Sequence, residues 1–595
     1  MSNSKSPWLD HFGPGVPLSV EIPDVDVTSA LWESAAAFPE RTALNFMGKT
    51  MTYRALIQTI EHAARALQHE GVAKGDRVAI ALPNTISHVV AFYAVLRLGA
   101  IVVEHNPQYT QCELVNQLND CGATYAILWE KTAAELGDRL GDTALTHVFA
   151  VDLSKDLPLS KKLLLELPVK KARGTKVALR GRAPEYSRDW HAFINQPTVP
   201  TQTTVPTQTT TSSQTTPQTQ TTPQTQPAAT GSDIAVIQYT GGTTGTPKGA
   251  VLTHTNLVAN TIQGAAWTGA DERLGTEVVY GVLPFFHAFG LTLCLTYALK
   301  IGATLMLFPK FDVDAFLAAQ KKTPGTFLPA VPPMLSRLLK RAQERGADLT
   351  SFRYAICGAM PLPAETAAEW ERITGGLVIE GYGMTEASPI VLGNPISPER
   401  KPGFLGIPFP STSAMIVDQD DPTRVLPLTE RGELLVSGPQ IFSGYWNKSE
   451  QDNADVLVEI DGTTWLRTGD VVVMDQDGFF RVVDRIKEMI ITGGFKVFPS
   501  QVEARLRQMA GVEDVAVVGV SEGDLGERVV AVVVPREGAD RVTLTSIQEW
   551  CDKELARYAL PRKLAFVSEL PRSQVGKVLR RVVKEQILSG QIVPA

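Results

Sequence analysis

Apolar and polar positions along the region before Arg485 switch repeatedly between two spacings. The run AFYAVLRLGA at 91–100 carries apolar residues at helical spacing, whereas IVVEHN at 101–106 and YAILWE at 125–130 are short apolar runs of the kind that buried strands make. Repeated helix and strand patterns predict an α/β fold of mainly parallel sheets covered by helices. Beyond Arg485 the character changes. The runs VEDVAVVGV and ERVVAVVVP predict two strands, and TSIQEWCDKELARY predicts a helix, together a small α+β unit. The expected organisation is a large domain over 1–483, a hinge at 484–487 and a small C-terminal domain over 488–595.

Three stretches depart from this alternation. Val278 to Leu299 has no charge unless His287 is protonated and is long enough to cross a bilayer. Gly281, Pro284, His287 and Gly290 interrupt it, so strand, loop and buried helix is the better reading. The insertion at 196–230 is dominated by Thr, Gln and Pro, with near-repeats such as TTPQTQ, and cannot build a core; a disordered excursion is expected, and excision of residues 198–226 should leave turnover nearly unchanged. Just before it, residues 155–190 hold ten Lys or Arg against four acids, with KKLLLELPVKKARGTK at the centre. A short apolar helix flanked by basic clusters offers a peripheral seat on the inner membrane surface. The plainer alternative is a solvated basic face.

Composition narrows the class. With 595 residues, 44% hydrophobic and 20% charged, the chain can bury several cores. A net charge of -7 argues against binding nucleic acid through the overall field. Cys112, Cys121, Cys294, Cys357 and Cys551 lack paired spacing, so neither a zinc site nor a disulfide framework is suggested. The opening MSNSKSPWLD has no secretory pattern, and a cytoplasmic location is expected, with peripheral membrane contact and a homodimer both left open.

The strongest chemical signal is DIAVIQYTGGTTGTPKGAVLTH at 233–254, read as a strand, a loop and then a helix from Asn256. Thr240, Gly241, Gly242, Thr243, Thr244 and Gly245 offer close backbone N–H groups and hydroxyls, and Lys248 adds charge, a loop suited to a polyphosphate. It is not a Walker A loop, because Gly249 follows Lys248, and the glycine spacing also misses the dinucleotide fingerprint.

YTGGTTGTPKG resembles the phosphate loop of the adenylate-forming superfamily, which includes acyl-CoA synthetases, luciferases and peptide-synthetase adenylation domains. LPFFHAFG at 283–290, EGYGMTE at 380–386, RTGD at 467–470, DRIKEMIITGGFKVFPSQVE at 484–503 and PRSQVGKVLRR at 571–581 follow in the family order. The resemblance is greatest to bacterial long-chain fatty-acid CoA ligases. It implies a β-barrel-like subdomain in the large domain and a mobile small domain. It also implies ATP, Mg²⁺ and CoA as the cofactor and co-substrates, and a fatty acid as the substrate.

By this resemblance Glu386 holds Mg²⁺ with Thr240, Thr385 reaches the phosphate, and Tyr382 stacks on adenine in the string Glu380, Gly381, Tyr382. Gly358 and Ala359 line the base pocket, and Asp470 and Arg485 take the ribose. Lys577 enters the cleft to bridge carboxylate and α-phosphate. Asp484 to Lys487 match the hinge, and Gly493 and Gly494 match the loop that lines the pantetheine channel. His287 stands where amino-acid-activating relatives place an Asp, which disfavours an amino-acid substrate; it is a wall near the carboxylate or a core histidine. Two departures stand out. Leu291 replaces a tryptophan gate, which leaves the gate unassigned, and Ile491 and Lys496 replace a Lys and a Trp of some long-chain enzymes. The rivals are a ligase for medium-chain or other carboxylic acids, a fatty-acyl-AMP ligase serving a carrier protein, a luciferase-type oxidation, and a nucleotide-binding scaffold without activity.

Overall fold

The computed structural model describes residues 6–196, 229–240, 247–492, 495–521, 527–540, 542–552, 554–573 and 576–594. The alternation read from sequence closes into two large sheets. One has seven strands in the order Arg188–Asp189, His147–Val151, Tyr125–Trp129, Arg77–Ala81, Ile101–Glu104, Ile234–Thr240 and Lys248–Thr253. Neighbours are parallel except the last pair, which is antiparallel. The other has nine strands in the order Ile407–Pro408, Ile390–Gly393, Leu377–Gly383, Tyr354–Cys357, Phe327–Ala330, Val278–Gly281, Thr304–Leu307, Thr42–Phe46 and Lys49–Thr52. Its centre is parallel and its margins antiparallel.

Central strands are mostly apolar because both faces are covered, with Glu104 and Gln238 as buried polar exceptions. The helix Ile86–Arg97 is buried at every position and ends at Leu98, with Gly99 at φ +67° turning the chain into the next strand. Arg97, in the last turn, would be costly if left alone. It pairs with Glu61 at 3.0 Å, and its guanidinium lies 4.8 Å from the Trp32 ring centre. The uncharged stretch after Val278 forms a strand to Gly281, a loop, and a helical run from Ala288 to Lys300 that passes through a π-helical turn at Leu291–Thr296. Gly290 is required there, since a Cβ would lie 2.1 Å from the Pro284 carbonyl oxygen. Among the described residues no helix is long and apolar enough to cross a membrane.

A third, antiparallel sheet makes the curled β-rich subdomain, with strands Ser413–Val417, Gly432–Ser437, Thr463–Met474 and Leu457–Ile460, and Phe480–Arg485 on the long strand. The small α+β domain carries Val512–Ser521, Glu527–Pro535 and Lys563–Phe566, with the ribbon Ile490–Thr492 and Phe495–Val497 beside them. The C-terminal helix read over 545–558 is shorter, covering Leu544–Cys551. The chain beyond it turns through the 3₁₀ turn Arg557–Ala559, where Tyr558 stacks on Phe495 at 4.6 Å. All five cysteines are free thiols, and only Cys112 is exposed.

Candidate active site

A strand over Lys248–Thr253, paired antiparallel with Ile234–Thr240, corrects the expected direct passage from loop to helix. In that pair Thr240 stands opposite Lys248. The apolar run Ala250 to Leu252 is buried as the last strand of the sheet. The helix expected from Asn256 begins at His254, and its first turn is capped by Thr253 and Asn256 in a reciprocal box. Its first N–H groups are taken by the Asp233 and Gly231 carbonyls and by Thr253 Oγ1. The expected phosphate contacts Gly241, Gly242, Thr243, Thr244 and Gly245 lie outside the described residues, as do Gly493 and Gly494.

At the described end of the hairpin, the Thr240 hydroxyl donates to the Lys248 carbonyl at 3.4 Å. The Lys248 ammonium, exposed, lies 4.8 Å from the Tyr445 ring centre, and the Tyr445 hydroxyl donates to Glu386 Oε1 at 2.7 Å. Glu386 is buried, and its backbone carbonyl accepts from Phe442 N–H at 2.9 Å. The hairpin is thus tied to EGYGMTE through a tyrosine that the sequence reading did not single out. Burial and the Glu386 carboxylate hold the Tyr445 hydroxyl well above its ordinary range, so it remains a donor.

Glu380, Gly381 and Tyr382 end the strand Leu377–Gly383, and Thr385 opens the 3₁₀ turn that follows. Gly383 permits this sharp exit, because a Cβ would lie 2.0 Å from the Pro389 carbonyl oxygen. Gly358 lies beside Gly381: its missing Cβ would sit 3.0 Å from the Gly381 carbonyl oxygen and 3.5 Å from Phe289. Ala359 adopts φ +67°, a left-handed conformation that costs a non-glycine residue energy and is often found at functional sites. Glu380 accepts from Gly403 N–H at 2.7 Å, and burial raises its carboxyl above the usual range.

Asp470 is buried and opposite Arg485 in the sheet register. Arg485 Nε donates to Asp470 Oδ1 at 2.9 Å, and the Tyr382 hydroxyl donates to the other carboxylate oxygen. The pair holds the guanidinium above its usual range against the effect of burial. Burial first, then Asp470, pushes the Tyr382 phenol well up.

Lys577 reaches this cluster from the small domain. A Cβ on the adjoining Gly576 would touch Pro333 Cγ at 3.4 Å and Met360 Sδ at 3.6 Å, so the lysine loop rests on the large domain beside the CGAMPLP segment. Lys577 is half-buried and senses the charges of Arg485, Glu488, Asp470 and Arg580. Burial and then Arg485 push its ammonium down to about 8. Its loop is closed by Lys577 N–H to Ser573 Oγ at 3.1 Å and by Ser573 N–H to the Lys577 carbonyl at 2.8 Å. Arg580 anchors the following helix by donating to both Glu503 oxygens at 2.7 Å and to Glu488.

Between the domains Asp484 is buried, accepts from the Ser500 N–H at 3.0 Å and hydroxyl at 2.8 Å, and is raised above the usual carboxylate range by burial. Lys487 stands apart, exposed on the turn Ile486–Glu488. His287 precedes the helical run at Ala288, with its ring 4.8 Å from that of Phe286, and burial pushes it down to about 4. It is a neutral group at ordinary pH. Tyr445, Glu488 and Arg580 are the neighbours missed in the sequence. The one local sign was the aromatic string in SGYW at 443–446.

Residues 31–446 match the AMP-binding enzyme family profile, and residues 501–577 match the AMP-binding enzyme C-terminal domain. The chain is 37% identical over 583 residues to a long-chain-fatty-acid–CoA ligase of Bacillus subtilis, covering 98% of each. Among solved structures it is similar to ATP-bound MatB from Rhodopseudomonas palustris, with a TM-score of 0.76 and 26% identity over 95% of this chain and 99% of that one. It is also similar to the o-succinylbenzoate coenzyme A synthetase MenE of Bacillus subtilis in complex with ATP and magnesium ion, with a TM-score of 0.70 and 26% identity over 93% and 99%. A large α/β body, a β-rich subdomain and a small α+β domain facing one cleft define the adenylate-forming class. The chain belongs to the AMP-binding enzyme family, as an AMP-forming acid–thiol ligase that joins a carboxylic acid to CoA with ATP and Mg²⁺.

The residues fit that cation. Among those described, no group of three or more His, Cys, Asp or Glu could hold a metal. A buried Glu386 and a hydroxyl at Thr240 are hard oxygen donors, and one carboxylate suffices for Mg²⁺ that arrives with phosphate and water ligands.

Proposed function

We propose that this chain is a long-chain fatty acid CoA ligase: acid and ATP give acyl-AMP and pyrophosphate, then acyl-AMP and CoA give acyl-CoA and AMP. The observation that carries the two-step reading is Lys577, held on a small-domain loop within the field of the Asp470–Arg485 pair of the large domain. The long-chain preference is supported by full-length similarity to the Bacillus subtilis ligase.

In this reading Tyr382 offers its ring to adenine while its hydroxyl fixes Asp470, and Gly358, Ala359, Glu380 and Gly381 wall the base. Asp470 accepts from the ribose hydroxyls as a bidentate acceptor, with Arg485 beside it. Lys248, Thr385 and the loop at Thr240 to Gly245 receive the phosphates. Glu386, oriented by Tyr445, and Thr240 would hold Mg²⁺, which would shield the phosphate charge when bound.

A carboxylate approaching the α-phosphate meets like charge, and Lys577 supplies the cation between them. The carboxylate oxygen then attacks phosphorus and pyrophosphate leaves. The hinge at 484–487, between domains over 1–483 and 488–595, withdraws Lys577 and brings Gly493 and Gly494 to the pantetheine path. The CoA sulfur attacks the acyl carbon and AMP departs. His287, neutral and half-buried, borders the carboxylate. No general base is assigned, since a mixed anhydride is already activated.

A second reading, a ligase for another carboxylic acid, is favoured by the similarity to the o-succinylbenzoate enzyme, because one fold serves more than one acid. AMP release measured from butanoate to stearate, with and without CoA, separates the readings. CoA-dependent release that rises to the long acids supports the first. A maximum at short or aromatic acids gives the second, and pyrophosphate release with no AMP release on adding CoA gives a ligase that stops at the adenylate.

A further inference from the structure

We propose that the helix pair Leu159–Leu165 and Lys170–Leu179 is a docking face for an anionic phospholipid bilayer, distinct from the active site and independent of which acid is activated. Each helix spends one leucine on the core: Leu165 and Leu179 are both 8% exposed and join the main apolar cluster. The other apolar residues whose side chains are described point outward. Leu159 is 78% exposed, Leu163 73% and Val177 69%, and Leu164, Leu167 and Val169 are exposed beside them. Large apolar side chains grouped this way on a surface mark a site of contact rather than the ordinary scatter of single exposed leucines.

The charge around this face says what covers it. Residues 159–182 contain eight Lys or Arg and one acid, a local charge of +7 in a chain whose total is -7. That acid, Glu166, is taken by Lys176 at 2.6 Å. A protein partner would need an acidic rim around an apolar centre, which a membrane with anionic headgroups over acyl chains supplies without a specific sequence. Nucleic acid would satisfy the charge and leave the leucines in water.

The face is also held still. Asp156, just before it, accepts from Ser87 N–H at 2.9 Å in the core. At the far end Trp129 Nε1 donates to the Leu179 carbonyl at 3.1 Å, and Gly181 N–H donates to Glu130 at 3.0 Å. The outward leucines are thus presented by anchored helices, and little ordering is needed on contact.

The test is co-sedimentation of the purified full-length protein with vesicles of phosphatidylcholine alone and with phosphatidylglycerol added. The wild type should bind the anionic vesicles, bind the neutral ones far more weakly, and be released at about 0.5 M salt, where the Debye length is only a few ångströms. The double variant Leu163→Asn, Leu164→Asn should lose about a hundredfold in partitioning. Arg173→Gln with Arg182→Gln should lose about thirtyfold on anionic vesicles. All these side chains are exposed, so unfolding midpoints and AMP release should match the wild type. Binding that is equal on neutral and anionic vesicles, or unchanged in both variants, overturns the proposal. So does a wild type that ignores vesicles but self-associates in sedimentation equilibrium until Leu163 and Leu164 are replaced, since the occupant is then a second copy.

Discussion

Replacing Lys577 by Ala separates the two half-reactions more cleanly than any other single change. The lysine is near Asp470 and Arg485 but on a loop of the small domain, so it can leave between steps. An ammonium 4 Å from one anion is worth about 4 kcal/mol at an effective dielectric near 20, and the lysine is asked to serve two anions as they meet. Losing an interaction of that size slows the adenylation step by about a thousandfold. The assay is exchange of labelled pyrophosphate into ATP with a long-chain acid, run beside the reaction of supplied acyl-AMP with CoA. The first should fall about a thousandfold, and the second should change less than about threefold, because no charge meets charge in it. The pH dependence carries the same signature. The group must be protonated to act, and its ammonium is held down to about 8. In the free enzyme, kcat/KM for exchange should therefore fall as pH rises through that value. Lys577→Arg, charged throughout, should show no such fall whatever its absolute rate. Equal loss of both half-reactions in Lys577→Ala, or an unaltered alkaline limb in Lys577→Arg, refutes the assignment.

Tyr445→Phe removes the hydroxyl that orients Glu386 at 2.7 Å and should raise the half-saturating Mg²⁺ concentration about tenfold, read by exchange at fixed ATP. Asp470→Asn leaves Arg485 without its anion and should raise the KM for ATP far more than that for the acid, measured by AMP release. Arg580→Ala leaves the buried Glu503 with Arg507 as its cation, 3.2 Å from one oxygen, and takes the guanidinium away from Glu488; it should destabilise the small domain by about 1.5–3 kcal/mol, seen as early proteolysis beyond the hinge, and Glu503→Gln in the same chain should restore part of it. Gly383→Ala drives a methyl group to 2.0 Å from the Pro389 carbonyl and should lower the unfolding midpoint by an amount matching about 3 kcal/mol or more.

Local pattern made much of this molecule readable from its sequence. The strands Ile101–Glu104 and Tyr125–Trp129 are continuous apolar runs because helices cover both faces of their sheet, and Val512–Ser521 and Glu527–Pro535 stand out for the same density of valine. The site strings were legible because each packs several chemical demands into a few residues, such as the glycines that let Gly358 and Gly381 approach. What stayed hidden depends on partners distant in the chain. Glu386 and Tyr445 are 59 residues apart, and Arg580 meets Glu488 across 92, so no local spacing reports either pair. The strand Lys248–Thr253 is not apparent in the sequence, because GAVLT is a short apolar run directly after a Gly/Thr loop, and its pairing with Ile234–Thr240 is what makes it a strand. The helix ending at Cys551 was read too long, since the apolar spacing continues while the chain turns away toward Phe495.

The proposed reaction needs a single cleft in which the large domain holds base, ribose and phosphate and the small domain supplies the reacting charge. A crystal structure with lauric acid and a non-hydrolysable ATP analogue with Mg²⁺ tests it most directly. The account requires adenine on the Tyr382 ring, the ribose hydroxyls on Asp470, and Lys577 Nζ within about 4 Å of both the α-phosphate and the carboxylate. A nucleotide bound away from Tyr382 and Asp470, or a Lys577 that stays remote while the acid and phosphate are in contact, would contradict it.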